Sequence, residues 1–187
     1  MAAKTRYSAS DIIIEQLSFK ENLSDFTCGN KELDDFFKKE VVLCCKYKYL
    51  SAYAVKSMKT GELLCLFTLS NDIVSLEEED VEDLKDALPN EYKPIFGLQS
   101  SFPAINIGHL AVKKELQSKG IGKIVLLYLK GVLVNYRFTG VQFITVDSLN
   151  NHRTNKFYSS NGFLNQSNKD INSKTRRMYL SLMDYIE

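Results

Sequence analysis

A chain of 187 residues with 44% hydrophobic content can bury one substantial core and is short for two, so a single domain over residues 1–187 is expected. Its formal net charge of +1 provides no global basic field, and composition therefore singles out neither nucleic acid nor an acidic membrane as partner. The cysteines at 28, 44, 45 and 65 lack zinc-ligand spacing, no run approaches the roughly 20 apolar residues of a membrane span, and residues 1–10 lack a signal core. Reduced thiols, no metal, no membrane and a cytoplasmic location are expected.

Ile12, Ile13 and Ile14, followed by Leu17 and Phe19, read as a first strand, because β-branched runs favour pleated backbone. Asn30 is placed to cap a helix whose residues Leu33, Phe36, Phe37, Val41 and Cys44 recur at three- and four-residue steps on one face. Residues 51–56 and 62–70 are apolar and β-branched, and Lys59-Thr60-Gly61 between them predicts an antiparallel hairpin. Residues 77–88 predict a short acidic helix stopped by Pro89, its charges forming a solvated face. A strand at 104–112, a helix from Gly120 to about Tyr136 and a strand at 141–146 predict a right-handed βαβ unit with parallel strands. A helix over 151–161 stops at Gly162, and residues 163–165 and 176–183 predict the last two strands.

The junction of that βαβ unit carries the chemistry. Gln117, Ser118, Lys119, Gly120, Ile121 and Gly122 end a strand and open a helix, where first-turn N–H groups and the positive dipole end receive phosphate. Spacing excludes a Walker loop, and the absence of a third glycine excludes a dinucleotide fingerprint. What remains is Gln-x-x-Gly-x-Gly, with Lys119 and Lys123 as secondary sources of positive charge.

That loop resembles the acyl-coenzyme A loop of the GNAT N-acetyltransferase superfamily. His109-Leu110-Ala111-Val112 stands where the family carries its Leu-Ala-Val strand end, and residues 151–163 resemble its Asn-x-x-Ala-x-x-Phe-Tyr-x-x-x-Gly-Phe signature, with Thr154 replacing alanine. The resemblance implies an α/β (α+β) fold with a strongly twisted mixed sheet, antiparallel in its N-terminal half, with splayed parallel central strands and flanking helices. It implies an acyltransferase using acetyl-coenzyme A (acetyl-CoA) as acyl donor to a primary amine. Leu110, Ala111 and Val112 would pair with the pantetheine arm, the Leu110 N–H would receive the oxyanion, and Asn151 would join the cofactor set. Tyr158 would protonate the departing thiolate, for which a phenol with an unperturbed pKa of about 10 is suited. A tyrosine packed beside Phe157 is the alternative reading of that residue.

The base is less defined. Asn106 occupies the position at which some members carry a glutamate, and an amide accepts no proton at neutral pH. His109 is the nearest titratable residue and a weak base candidate; His152 is expected to face solvent. Without a strong base, an α-amine acceptor is favoured over a lysine, its neutral form being easier to reach by about 3.5 kcal/mol.

Phe26-Thr27-Cys28-Gly29-Asn30, continuing through Leu33, Asp34 and Phe36, looks like a segment of the GNAT toxins of toxin–antitoxin pairs, as does Phe67-Thr68-Leu69-Ser70. That likeness implies aminoacyl-tRNA as an alternative acceptor and an antitoxin as a partner, and it is compatible with a homodimer. Two departures stand against it: histidine at 109, where arginine is usual, and the near-neutral charge. Lys38, Lys39, Lys46 and Lys48, or Lys174, Arg176 and Arg177, are the local basic groups open to phosphate. A noncatalytic acyl-CoA sensor is the reading from another functional class.

Overall fold

The computed structural model describes residues 6–86, 88–99 and 101–185. Residues 1–5 of the N-terminal stretch, and Ala87 and Ser100 of the segment before the central strand, lie outside the described residues. In chain order the elements are β1 (Ile12–Gln16), α1 (Lys31–Lys39), α2 (Val41–Lys46), β2 (Ser51–Ser57), β3 (Leu63–Val74), α3 (Glu78–Asp86), α4 (Lys93–Phe96) and β4 (Phe102–Val112). They continue with α5 (Ile121–Val134), β5 (Phe143–Leu149), α6 (His152–Ser159), β6 (Leu164–Asn165) and β7 (Thr175–Ser181). The strands order β1-β2-β3-β4-β5-β7-β6 in a seven-stranded sheet. Contacts divide the chain into two compact units, Met1–Ser70 with Ile107–Tyr128 and Asn71–Asn106 with Leu129–Glu187.

The first unit is antiparallel. β1 pairs with β2 from Ile12↔Ser57 to Gln16↔Tyr53, and β2 pairs with β3 across a bulge at Val55/Lys56. Lys113 N donates to Leu64 O at 2.9 Å while Thr68 Oγ1 lies 2.9 Å from His109 Nδ1, so the β3 partner advances as the β4 partner recedes. The core gathers Leu17, Phe26, Phe37, Val41, Ala54 and Leu66. Asn30 caps α1 as expected, its side chain accepting from Leu33 N at 3.2 Å. The single helix expected through Cys44 is instead two, α1 and α2, meeting at Glu40 just before the β-branched pair Val41-Val42, with Val41 fully buried.

The second unit contains the parallel pair. Gln142 N donates to Pro103 O at 2.8 Å and Asn106 Nδ2 to Thr145 Oγ1 at 3.1 Å, both pairs separated by 39 residues, the constant offset of strands running the same way. β7 pairs antiparallel with β5 from Phe143↔Ser181 to Leu149↔Thr175, and with β6 on its other side. An aromatic run, Phe96–Phe102–Phe143–Tyr179, with ring centroids 4.6, 5.5 and 5.7 Å apart, builds this core. α4 was not expected from the sequence; one turn long, it starts at Lys93, carries Pro94 in that turn and is anchored by fully buried Phe96. β5 begins and ends later than periodicity suggested, and β7 gives way to a 3-10 turn at Met183–Tyr185.

α6 ends with Asn161 N and Phe163 N both donating to Tyr158 O, an arrangement that needs the left-handed backbone of Gly162, φ 92°. A methyl at Gly162 would also stand 3.1 Å from Leu180 Cδ1. Gly162→Ala is therefore expected to lower unfolding stability by about 1–3 kcal/mol, read as a lower urea midpoint at unchanged slope.

Candidate functional site

β4 leaves the sheet at Val112, passes through a 3-10 turn at Lys114–Leu116 and delivers the glycine loop to α5. Gln117 is the hinge of this path: its Nε2 donates to Cys28 O at 2.7 Å and to Val112 O at 3.2 Å. Its side chain thus braces the loop, leaving main-chain groups to face a ligand. Ser118 and Gly120 both adopt positive φ, 62° and 90°, so the loop reverses twice within three residues before the helix starts. Lys119 O accepts from Tyr7 N at 2.9 Å, tying residues 6–8 to the loop.

α5 has no acidic side chain in its first turn and no basic one in its last, so its dipole is uncompensated by side chains at both ends. Lys119 is half-buried, Lys123 is exposed and Gly122 lies in the first turn. Sequence reasoning missed Arg6: a methyl on Gly120 would meet Arg6 Cγ at 3.5 Å and Nε at 3.6 Å, which brings a third cation to the loop. No local signal announces it, since Arg6 lies more than a hundred residues upstream. Glycine geometry, dipole and cations together fit a pyrophosphate.

The same unit holds the Leu-Ala-Val segment. Ala111 is buried, and Leu110 and Val112 are half-buried. His109 stacks on Phe36, centroids 3.8 Å apart and planes 10° apart, with its Nδ1 on Thr68. Burial pushes its pKa below the ordinary 6.5, so the ring is neutral at pH 7. The Thr27-Cys28-Gly29-Asn30 segment is a brace: Asp34 accepts from Cys28 N at 2.8 Å and from Thr27 Oγ1 at 2.5 Å, and Lys114 N donates to Thr27 O at 2.8 Å. Burial opposes ionisation of Asp34, but these two donors outweigh it and hold the carboxyl below its usual range.

In the second unit, Asn151 caps α6, its Oδ1 accepting from Thr154 N at 3.0 Å and Thr154 Oγ1 at 3.1 Å. Thr154 thus gives the cap a second bond, which alanine at this position would lack. Tyr158 is buried on the inner side of α6, edge-on to Phe157 and Phe163 with centroids 5.0 and 5.3 Å away. His152 is exposed, as expected. The expected basic group at 174–177 is largely spent internally: Arg177 pairs with Asp72 and, at 2.9 Å, Asp147, while Arg176 Nε lies 3.5 Å from Asp170.

Comparison with known proteins agrees with this geometry. Residues 91–163, which contain the loop and Tyr158, match the family model described as Acetyltransferase (GNAT) family. AtaT complexed with acetyl-methionyl-tRNAfMet superposes with a TM-score of 0.72 at 22% identity, over 94% of this chain and 97% of that one. The fold is that of the GNAT acetyltransferases.

AtaTR bound with AcCoA has a TM-score of 0.67 at 21% identity, over 94% of this chain and 96% of that one. The KacTA–DNA complex has a TM-score of 0.65 at 21% identity, over 92% and 94%. No curated protein sequence is significantly similar to the chain. Among the described residues no group of three or more His, Cys, Asp or Glu is arranged to hold a metal, and no helix is long and apolar enough to cross a membrane.

Two outcomes follow for this GNAT fold. At Gly120 a methyl meets only ordinary contacts, so Gly120→Ala should cost about 1 kcal/mol through backbone strain alone; calorimetric titration is expected to show acetyl-CoA affinity reduced about tenfold. For His109, the unfolded ring titrates near 6.5 and the folded ring lower. Below about pH 6.5 the unfolded chain takes up a proton that the folded chain resists, so stability falls as pH drops through the folded value. Denaturant titrations from pH 7.5 to about 5.5 should show that loss, and His109→Phe, which can keep the stack on Phe36, should flatten it.

Proposed function

We propose that the chain is an acetyl-CoA-dependent N-acetyltransferase, one domain over residues 1–187, acting in the cytoplasm on an α-amine, with aminoacyl-tRNA as acceptor. The observation that carries the transferase reading is the start of α5: two positive-φ residues, an uncompensated dipole and the cations Lys119 and Lys123, within the segment that matches the family model, with Arg6 reaching the loop from outside that segment. Acetyl-CoA, when bound, supplies the activated thioester. Main-chain N–H groups of the Gln117 to Gly122 loop hold the pyrophosphate, and Leu110, Ala111 and Val112 offer strand backbone to the pantetheine arm. The Leu110 N–H receives charge developing on the carbonyl oxygen. Tyr158 is the proton donor to the thiolate, and neutral His109 is the base available on β4.

Two observations favour the tRNA-borne amine. Position 106 carries an amide where a carboxylate base would help a lysine acceptor, so an amine with a lower pKa is easier to use. In the first unit, Lys46 and Lys48 alternate with strongly exposed Tyr47 and Tyr49, the mix of cations and stacking rings that suits single-stranded nucleic acid. The likeness to AtaT, which has been solved bound to acetyl-methionyl-tRNAfMet and to the C-terminus of the antitoxin AtaR, extends the proposal to an antitoxin partner. A homodimer belongs to the same proposal.

Incubation with labelled acetyl-CoA and bulk charged tRNA is expected to label the tRNA, whereas deacylated tRNA stays unlabelled. Acetyl-CoA binding with no acceptor-dependent thiol release would leave the chain a sensor. Tyr158→Phe should reduce turnover by about 100-fold or more at nearly unchanged acetyl-CoA affinity; weakened binding with normal turnover per bound enzyme would remove its acid role.

A further inference from the structure

A chain of polar side chains runs across the second unit at a level where apolar residues would pack more cheaply. Asn106 on β4 is 8% exposed and Thr145 on β5 is fully buried, within a strand whose first four positions are all buried. Asn106 Nδ2 donates to Thr145 Oγ1 at 3.1 Å, and Thr145 Oγ1 donates to Asp72 Oδ2 near the end of β3. Asp72 is held in turn by Arg177. The guanidinium is locked by Asp147 Oδ2 at 2.9 Å and Gln166 Oε1 at 3.4 Å, and its backbone N–H is fixed by Asp170 Oδ2 at 2.6 Å.

Proton counting gives this chain a direction. A carboxylate paired with arginine only accepts, and a threonine hydroxyl has one proton to give. That proton goes to Asp72, so Thr145 Oγ1 must accept from Asn106, and it can do so only from the amide nitrogen. The flip of the Asn106 amide is thereby decided by a carboxylate two side chains away, and Asn106 Oδ1 is turned from Thr145 as a fixed acceptor. Among the described residues no donor reaches that oxygen. It is also absent from the sealed unpartnered side-chain atoms, which are Gln99 Oε1, Gln142 Oε1, Asp170 Oδ1 and Arg176 Nε. A buried amide held in one orientation, with its oxygen unpartnered among the described residues and not among the sealed atoms, is prepared for a donor that arrives from outside.

Resting on the transferase reading, we infer that Asn106 Oδ1 accepts a hydrogen bond from the N–H of the acceptor amine and orients it, with Thr145 and Asp72 as positioning residues that keep the oxygen facing the amine. The amide cannot take the proton. It selects for a nitrogen that still carries hydrogen, and disfavours thiols, whose S–H is a weak donor, as acceptors. This role differs from that of a glutamate at the same strand position, which would act as a base.

The test uses the full chain with leucinamide as the α-amine probe and three variants: Thr145→Val, which removes the hydroxyl at constant shape, Thr145→Ser, which keeps it, and Asn106→Leu. Expected are an acceptor KM raised about tenfold in Thr145→Val and Asn106→Leu with a smaller change in kcat, near-normal values in Thr145→Ser, and unchanged coenzyme A affinity in all three. Calorimetric titration of leucinamide into the coenzyme A-bound protein should show the same about tenfold weakening without turnover. Unchanged acceptor KM and leucinamide affinity in Thr145→Val, or equal losses in the valine and serine variants, would overturn the inference. If the wild type acetylates no amine, the transferase reading falls. In that case leucinamide binding that the valine variant weakens and the serine variant restores upholds the amine site, and absence of binding overturns it as well.

Discussion

Two carbonyl oxygens from separate parts of the first unit meet at the side chain of Gln117. Its amide nitrogen bridges Cys28 O, at the entrance to α1, and Val112 O, at the last residue of β4. With the Tyr7 N to Lys119 O and Lys114 N to Thr27 O bonds, that bridge ties the glycine loop to its surroundings and helps set the direction of the first-turn N–H groups of α5. Under the proposed function a pyrophosphate would meet donors whose positions are settled before it arrives, since ordering them on binding would cost conformational entropy. The bridge also rationalises the family pattern at this position, which takes glutamine or arginine: both donate, and a carboxylate cannot.

The brace on the other side of that bond is built with equal economy. Asp34, one turn into α1, folds the Thr27–Gly29 segment back on itself, and Gly29, at φ 83°, leaves only 3.2 Å between a notional methyl and Lys114 Cδ. The Thr27–Asn30 segment is therefore support for the glycine loop. Its sequence pattern reflects a cap, a carboxylate clamp and a close approach.

What could be read from the sequence was local. Asn30 and Asn151 announce their helices because a cap bonds a main-chain group three residues on, and the loop glycines announce a turn because few other residues adopt its backbone. The apolar runs of β4 and β5 placed the parallel pair, though β5 was set too early. The missing pieces depend on register and distant contact. Arg6 reaches the loop from the far N-terminus, and the Asp72–Arg177 pair spans 105 residues. Asn151, which the signature marks for the cofactor, also serves the fold, its Oδ1 accepting from Thr154 at the start of α6.

The thiols acquire meaning from the product of the proposed reaction. Burial, aided by nearby Asp34, lifts the Cys28 thiol to about 11, and complete enclosure lifts Cys65 further. At neutral pH neither holds an appreciable thiolate, the form that attacks a disulfide. Under the proposed reaction, which would release a free thiol at each turnover, these two cysteines would stand beneath the reach of mixed-disulfide exchange.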